Sequence, residues 1–232
     1  MRRKLVSEKT LELNIAAAIL DVIRTQWPGC QSAFWIGMKQ YQEARNGIDE
    51  LMSNMPRGRH LALQFKAPSS RLLDTEPYEY GLGEDQMARL LRLATSRPHS
   101  VFYVFPHYNT FGRMRVDAPD FLQHTYLLPV VRTAGLSPAA GGGRRHRAQS
   151  WEVPPGVVLR SEPLEVDSLN AKEHLMDGGQ RLLDDSMLSN SEVAAWLREV
   201  ALAAGDKPSV IGQRLRGFST VCVPGASAVG DL

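Results

Sequence analysis

The stretch that most constrains the fold of this chain is 43–66, with the sequence EARNGIDELMSNMPRGRHLALQFK. Its end, HLALQFK, alternates apolar side chains with small or polar ones, which predicts a β-strand. An apolar segment at 48–52 precedes it, and the turn residues at 54–58 predict a hairpin between the two. Side chains two apart on a strand share a face, so we expect Gln64 and Lys66 to point the same way.

This hairpin brings together side chains with useful chemistry. Asp49 lies at the head of the first segment, while Gln64 and Lys66 lie on the second. Carboxylate and amide oxygens are ligands that Mg²⁺ prefers, and a neighbouring lysine can orient a water or stabilise negative charge on a phosphate. The alternative is a surface hairpin, in which Asp49 serves a turn and Lys66 extends past apolar neighbours into solvent.

The order of carboxylate, turn and Gln-x-Lys resembles the PD-(D/E)xK nuclease superfamily in its Gln-x-Lys, Mrr-like variant. The resemblance runs from Glu43 through GID to QFK, and with its flanking elements it covers about the first half of the chain. It implies a restriction-endonuclease-like fold that cleaves DNA with Mg²⁺ or Mn²⁺. No proline precedes Asp49, and Gln64 replaces the usual acid, which lowers the negative charge available to a metal.

The resemblance also implies roles for individual residues. Asp49 and Gln64 would hold the metal, and Lys66 would act in catalysis together with Glu12 or Glu43. Glu12 matches the glutamate that many members carry on a helix before these strands, although a first-turn glutamate is also favoured by the helix dipole alone. Glu43 is equally compatible with an exposed position on a helix.

The remaining pattern predicts an α/β fold, with a central mixed β-sheet flanked by helices and a helical C-terminal part. Ser7 is suited to cap a helix that ends near Gln26, and 83–96 has the periodicity of an amphipathic helix. The apolar run at 100–105 predicts a central strand covered on both faces. We assign 1–135 to the nuclease-like core of the domain.

A glycine- and arginine-rich stretch follows this core. Residues 136–150 predict a flexible basic loop, in which Arg144, Arg145 and Arg147 would contact the phosphates of a nucleic acid. The alternative is a mobile surface loop without a partner. Residues 151–220 supply the remaining strand and the helices predicted at 171–183 and 191–204, and 221–232 predicts a disordered tail.

Composition limits the classes of function. The chain has 232 residues, 43% of them hydrophobic, and a net charge of only +2, so any binding to nucleic acid must come from a local patch. Cys30 and Cys222 are far apart in sequence, which favours free thiols in a reducing compartment. The start of the chain lacks the pattern of a signal peptide, and no apolar run is long enough to span a bilayer. We therefore expect a cytoplasmic protein without a membrane partner.

Three functions are compatible with these observations. The first is a metal-dependent endonuclease that cleaves DNA, as part of a restriction or anti-phage defence system and beside other protein subunits. The second is a non-catalytic subunit with the nuclease fold, used to bind nucleic acid or to assemble a complex. The third is a protein-interaction module in which Gln64 and Lys66 have no chemical role. The sequence leaves the oligomeric state open.

Overall fold

The computed structural model describes residues 6–38, 47–69, 78–95, 97–134, 145–152, 155–160, 163–166, 169–182, 188–189, 191–195 and 198. The helices include α1 Glu8–Gln26, α2 Glu84–Thr95, α3 Phe111–Asp117 and α4 Ala171–Leu182. The strands are β1 Phe34–Gly37, β2 Glu50–Ser53, β3 Arg59–Phe65, β4 Tyr78–Gly83, β5 Val101–Pro106, β6 Thr125–Pro129, β7 Arg145–Glu152, β8 Pro155–Arg160, β9 Pro163–Val166, β10 Leu169–Asn170 and β11 Leu188–Ser189.

The main sheet has the order β1-β2-β3-β5-β6-β10, and β11 pairs with β3. β3 and β5 run parallel, while the other neighbouring strands run antiparallel. The predicted α/β fold with a central mixed sheet is therefore confirmed. β5 lies inside this sheet and is buried along its whole length, as the apolar run at 100–105 predicts.

β2 and β3 form the predicted antiparallel hairpin, with Glu50 opposite Leu63. A short 3-10 turn, Pro56–Gly58, joins them. Asn54 and Gly58 have φ values of 59° and 62°, in the left-handed region that asparagine tolerates and glycine adopts freely. The turn residues thus permit the tight reversal that aligns the two strands.

Helix α1 covers one face of the main sheet. The side-chain oxygen of Ser7 accepts a hydrogen bond from the N–H of Thr10 at 3.1 Å, so the predicted N-terminal cap is confirmed. The apolar stripe of α1 joins a buried cluster with alternate residues of β3; its members include Leu11, Ile15, Ile19, Ile23, Leu61, Leu63 and Phe65. The helix therefore lies across the strand whose end carries Gln64 and Lys66.

Helix α2 and a second sheet cover the opposite face. Their apolar side chains form a second buried cluster with β5, which includes Tyr80, Leu82, Leu90, Leu93, Tyr103 and Phe105. β4 runs directly into α2, since the strand ends at residue 83 and the helix begins at residue 84. Consequently β3 is covered on both faces, and all seven of its residues are buried.

The second sheet has the order β4-β7-β8-β9. Because β7 begins at residue 145, the prediction of a flexible loop over 136–150 is wrong for 145–150, whereas 136–144 lie outside the described residues. Pairing explains the error: Arg145 lies opposite Gly83 and Arg147 opposite Gly81, and β8 pairs with the other edge of β7. Hydrogen bonds to the neighbouring strands satisfy the backbone N–H and C=O groups of β7, although its first residues are charged.

The C-terminal part contains the strands β7, β8 and β9 as well as the predicted helix α4. Of the helix predicted at 191–204, residues 191–195 are helical, and beyond them only residue 198 is described. The tail predicted at 221–232 lies outside the described residues. Within the described part of the chain, no helix combines the length and apolar character needed to cross a membrane.

Candidate functional site

The hairpin register places Asp49 against the end of β3. The backbone N–H of Asp49 donates to the carbonyl of Leu63 at 3.0 Å, which extends the ladder one residue beyond β2. The Oδ2 atom of Asp49 then accepts two hydrogen bonds, from the backbone N–H of Phe65 at 2.6 Å and from Nε2 of Gln64 at 2.7 Å. Asp49 and Gln64 therefore meet, as the Gln-x-Lys pattern predicts.

The amide of Gln64 lies between two oxygen atoms. Its Nε2 atom donates to the Phe65 carbonyl at 3.1 Å as well as to Asp49. Its Oε1 atom is buried and has no hydrogen-bond partner in the described part of the structure. A buried amide oxygen without a donor costs free energy, so a further donor or a cation beside it would be stabilising.

Lys66 follows β3 directly and continues its pairing. Its backbone N–H donates to the carbonyl of Val104 on β5 at 3.0 Å. Its ammonium group donates to Oε1 of Gln86, in the first turn of α2, at 2.7 Å. Because α2 covers the face opposite α1, Lys66 extends to the α2 side of the sheet.

Glu12 is buried on the α1 side, where it forms a hydrogen bond with Glu50. Glu12 is 4% exposed and also forms an ion pair with Lys9. Burial, the hydrogen bond with Glu12 and the charge of that group raise the pKa of Glu50 to about 8. The hydrogen bond between the two carboxyl groups therefore favours the form in which Glu50 holds the proton. The Oε2 atom of Glu50 is buried without a hydrogen-bond partner among the described residues.

Asp49 itself resists ionisation. Burial raises its pKa to about 7, against the hydrogen bond from Phe65 and the charge of Lys66, which lower it. The charges of Glu8 and Glu12 act in the same direction as burial. The ionised form of Asp49 is thus in balance with its neutral form near neutral pH. A cation beside the carboxyl would favour the ionised form.

Several of the predicted site residues lie outside the described part of the chain or are placed by their backbone alone. Glu43 and Arg144 lie outside the described residues. Arg145 and Arg147 are placed by the backbone of β7, two residues apart and opposite Gly83 and Gly81 of β4. The catalytic role proposed for Glu43 and the phosphate contact proposed for Arg144 stay predictions.

Three side chains near the site were not assigned a role from the sequence. Glu50 follows Asp49 directly, and it meets Glu12 of α1 because it pairs with Leu63 on β3. Glu8 accepts a hydrogen bond from the backbone N–H of Ala67 at 3.0 Å. Gln86 lies in the first turn of a predicted helix, but only the packing of α2 on the sheet reveals its contact with Lys66.

The groups of this site that could bind a metal through oxygen are a carboxylate, a backbone carbonyl and a side-chain amide. Among the described residues, no three His, Cys, Asp or Glu side chains converge as a metal-binding group. The convergent atoms are instead Oδ2 of Asp49, the Phe65 carbonyl and the amide of Gln64. A half-turn of that amide exchanges Nε2 for Oε1 and makes all three groups oxygen acceptors, the ligand type that suits Mg²⁺.

Comparison of the chain with protein-family models, with curated proteins and with solved structures returns no match.

Proposed function

We propose that this protein is a metal-dependent nuclease with a restriction-endonuclease-like fold, which cleaves phosphodiester bonds of DNA. The observation that carries the proposal is the convergence of Asp49, Gln64 and Lys66 at one end of the β2–β3 hairpin. The hydrogen bond of 2.7 Å from Nε2 of Gln64 to Oδ2 of Asp49 supports the proposal, because two groups this close could share one ion once the amide turns its oxygen inward. We also propose that the protein acts within a restriction or anti-phage defence complex.

Mg²⁺ or Mn²⁺ would be held by Asp49, Gln64 and the carbonyl of Phe65. When bound, the ion supplies a polarised water and neutralises charge on the phosphate. The backbone N–H of Phe65 fixes the Asp49 carboxylate, because it donates to Oδ2 at 2.6 Å. The end of β3 therefore holds the Asp49 carboxylate and the Phe65 carbonyl in place before an ion binds, and the Gln64 amide completes the set by the half-turn that presents its oxygen.

Lys66 supplies a fixed positive charge beside these ligands. The phosphate gains negative charge as its bond is cleaved, and a preorganised cation stabilises that charge more in the transition state than in the ground state. Gln86 holds the ammonium group at 2.7 Å without adding a negative charge. This contact therefore holds the lysine without adding a negative charge of its own.

Glu12 and Glu50 would act behind this group of ligands. Burial and the hydrogen bond with Glu12 raise the pKa of Glu50, and Glu12 forms an ion pair with Lys9. As Glu12 also raises the pKa of Asp49, this pair adjusts how readily Asp49 ionises. We assign it an electrostatic role and not direct contact with the phosphate.

A second candidate function is a non-catalytic subunit that uses the same fold to bind nucleic acid. One observation favours it: no three acidic, histidine or cysteine side chains converge in the described part of the chain. Gln64 supplies no charge, so the affinity for a divalent ion would be lower than in a site with two carboxylates. This subunit would bind DNA equally well with and without metal.

The test is cleavage of plasmid and linear DNA by the purified protein with Mg²⁺, with Mn²⁺ and with EDTA, alongside calorimetry of metal binding. Lys66→Ala should lower the cleavage rate on the order of 100-fold or more and leave DNA binding intact. Asp49→Ala should lose both cleavage and metal binding. Lys172→Ala, on α4 in an ion pair with Asp120, is the matched control and should cleave normally.

Two outcomes would reject the nuclease. If the wild-type protein binds neither Mg²⁺ nor Mn²⁺ in calorimetry, the metal site is absent. If it binds metal but Lys66→Ala cleaves as fast as the wild type, the assigned chemistry is wrong. Metal-independent binding of DNA without cleavage would support the second candidate.

A further inference from the structure

The first turn of α2 is in direct contact with the proposed catalytic lysine. Oε1 of Gln86 accepts a hydrogen bond from the ammonium group of Lys66 at 2.7 Å. The helix itself is anchored in the core, since Leu90 and Leu93 lie in the buried cluster between the two sheets. The position from which the Gln86 side chain extends is therefore fixed by the packing of α2.

Gly47 lies against the same turn of α2. It has a φ of 76°, and a Cβ atom added to it would lie 3.1 Å from Cγ of Gln86 and 3.4 Å from the Gln86 carbonyl. A contact of 3.1 Å is closer than ordinary van der Waals packing, and Leu90 closes the remaining space at 3.5 Å. A Cβ at Gly47 would therefore require the Gln86 side chain to shift by a few tenths of an ångström.

The backbone around Lys66 is held independently of Gln86. The N–H of Lys66 donates to Val104 at 3.0 Å, and the next N–H, of Ala67, donates to Glu8 at 3.0 Å. The four-carbon side chain of the lysine still has to be oriented, and its rotamer entropy is large. The amide of Gln86 is placed to restrict it.

We propose that Gln86 is the positioning residue for Lys66, and that Gly47 is glycine because α2 must approach closely enough for this contact. The proposal depends on the nuclease function for the role of Lys66, but the contact itself does not. An amide suits this task better than a carboxylate. It accepts the hydrogen bond without adding a charge, whereas a glutamate at 86 would form an ion pair with the lysine.

Two variants at this position separate positioning from charge. Gln86→Met keeps the length of the side chain and removes the acceptor, so kcat should fall on the order of 10- to 100-fold with KM little changed. Gln86→Glu restores an acceptor but neutralises the lysine, so it should not rescue kcat. Gln26→Met, at an exposed position at the end of α1, is the matched control and should behave as the wild type.

A spectroscopic measurement tests the contact without any activity. In ¹⁵N-lysine-labelled protein, the ammonium N–H signal of Lys66 should be visible in the wild type, because its hydrogen bond slows proton exchange. It should weaken or shift in Gln86→Met and shift in Gln86→Glu, and it is assigned by its absence in Lys66→Ala. An unchanged signal in both Gln86 variants would overturn the proposal, and a wild type that never cleaves DNA would overturn only the nuclease function.

Gly47→Ala provides an independent variant. It should weaken the same ammonium signal and lower kcat, because the added methyl displaces Gln86. Gly81→Ala is its control, since a Cβ there meets nothing within 4 Å. The positive φ of Gly47 adds backbone strain for alanine. If that strain prevents folding, the Gln86 variants still decide the proposal.

Discussion

Replacing Asp49 by asparagine should stabilise the fold at alkaline pH, because the structure buries this carboxyl at a cost. Burial is the largest of the causes that raise the pKa of Asp49 from an ordinary 3.8 to about 7. The hydrogen bond from Phe65 and the charge of Lys66 lower this pKa, and the charges of Glu8 and Glu12 raise it. A carboxyl that holds its proton more tightly in the folded chain stabilises folding below its ordinary pKa. That stabilisation disappears as the pH rises through the folded pKa.

The magnitude follows from the difference between the two pKa values. It is 7 minus 3.8, or about 3, and each step of one in pKa corresponds to about 1.4 kcal/mol. Ionising Asp49 in the folded chain therefore costs at most about 4 kcal/mol, which develops between about pH 4 and about pH 7. Asparagine carries no charge and keeps an oxygen for the N–H of Phe65. We expect Asp49→Asn to match the wild type near pH 4 and to exceed its free energy of unfolding by about 2–4 kcal/mol at about pH 8.5.

The assay is urea unfolding followed by circular dichroism across this pH range, with EDTA present to keep cations away from Asp49. Asp21→Asn, at an exposed carboxyl on α1, is the matched control and should show no comparable gain at alkaline pH. A gain for Asp49→Asn that is the same at every pH would refute the reasoning, because the effect would not come from ionisation. No gain at about pH 8.5 would refute it as well.

Three further outcomes are expected. Glu50→Gln should have a larger free energy of unfolding than the wild type above about pH 8 and a similar one below about pH 4, because burial and the hydrogen bond with Glu12 raise the pKa of Glu50 to about 8. Denaturant unfolding across this pH range measures the difference. Replacing Arg145 and Arg147 by serine should weaken DNA binding and flatten its dependence on salt, by roughly one unit of slope for each phosphate that an arginine no longer neutralises. The amides at 148–150 should be protected in hydrogen exchange, because β7 pairs on both edges, and rapid exchange there would contradict the second sheet.

Local signals in the sequence predicted the elements that carry the site. The capping serine Ser7 marks the start of α1, and the alternation at 61–65 marks β3, because both depend on neighbouring residues. The pairing of β2 with β3 followed from the short turn between them. These features brought Asp49 and Gln64 together correctly, since a hairpin has few possible registers.

The missed features depend on contacts between distant segments. The clustered arginines at 144–147 indicate a loop when taken alone, but β4 lies far earlier in the chain and supplies Gly81 and Gly83 as partners of Arg147 and Arg145. Likewise, the contact of Gln86 with Lys66 arises only when α2 packs on the sheet. No local sequence pattern in β7 or α2 indicates these contacts, so the second sheet and the contact of Gln86 with Lys66 could not be predicted from the sequence.

Three features of the site share one electrostatic cause. Oε1 of Gln64 and Oε2 of Glu50 are buried without a hydrogen-bond partner in the described part of the chain, and Asp49 holds its proton up to about pH 7. Each indicates more acceptor oxygens than donors around the end of β3. A core selected for stability alone would not retain this excess, because unsatisfied buried acceptors and ionisable groups cost free energy. A divalent cation beside Asp49 and Gln64 would relieve the part of this excess that these two residues carry, and this favours a metal-binding role over that of an incidental hairpin.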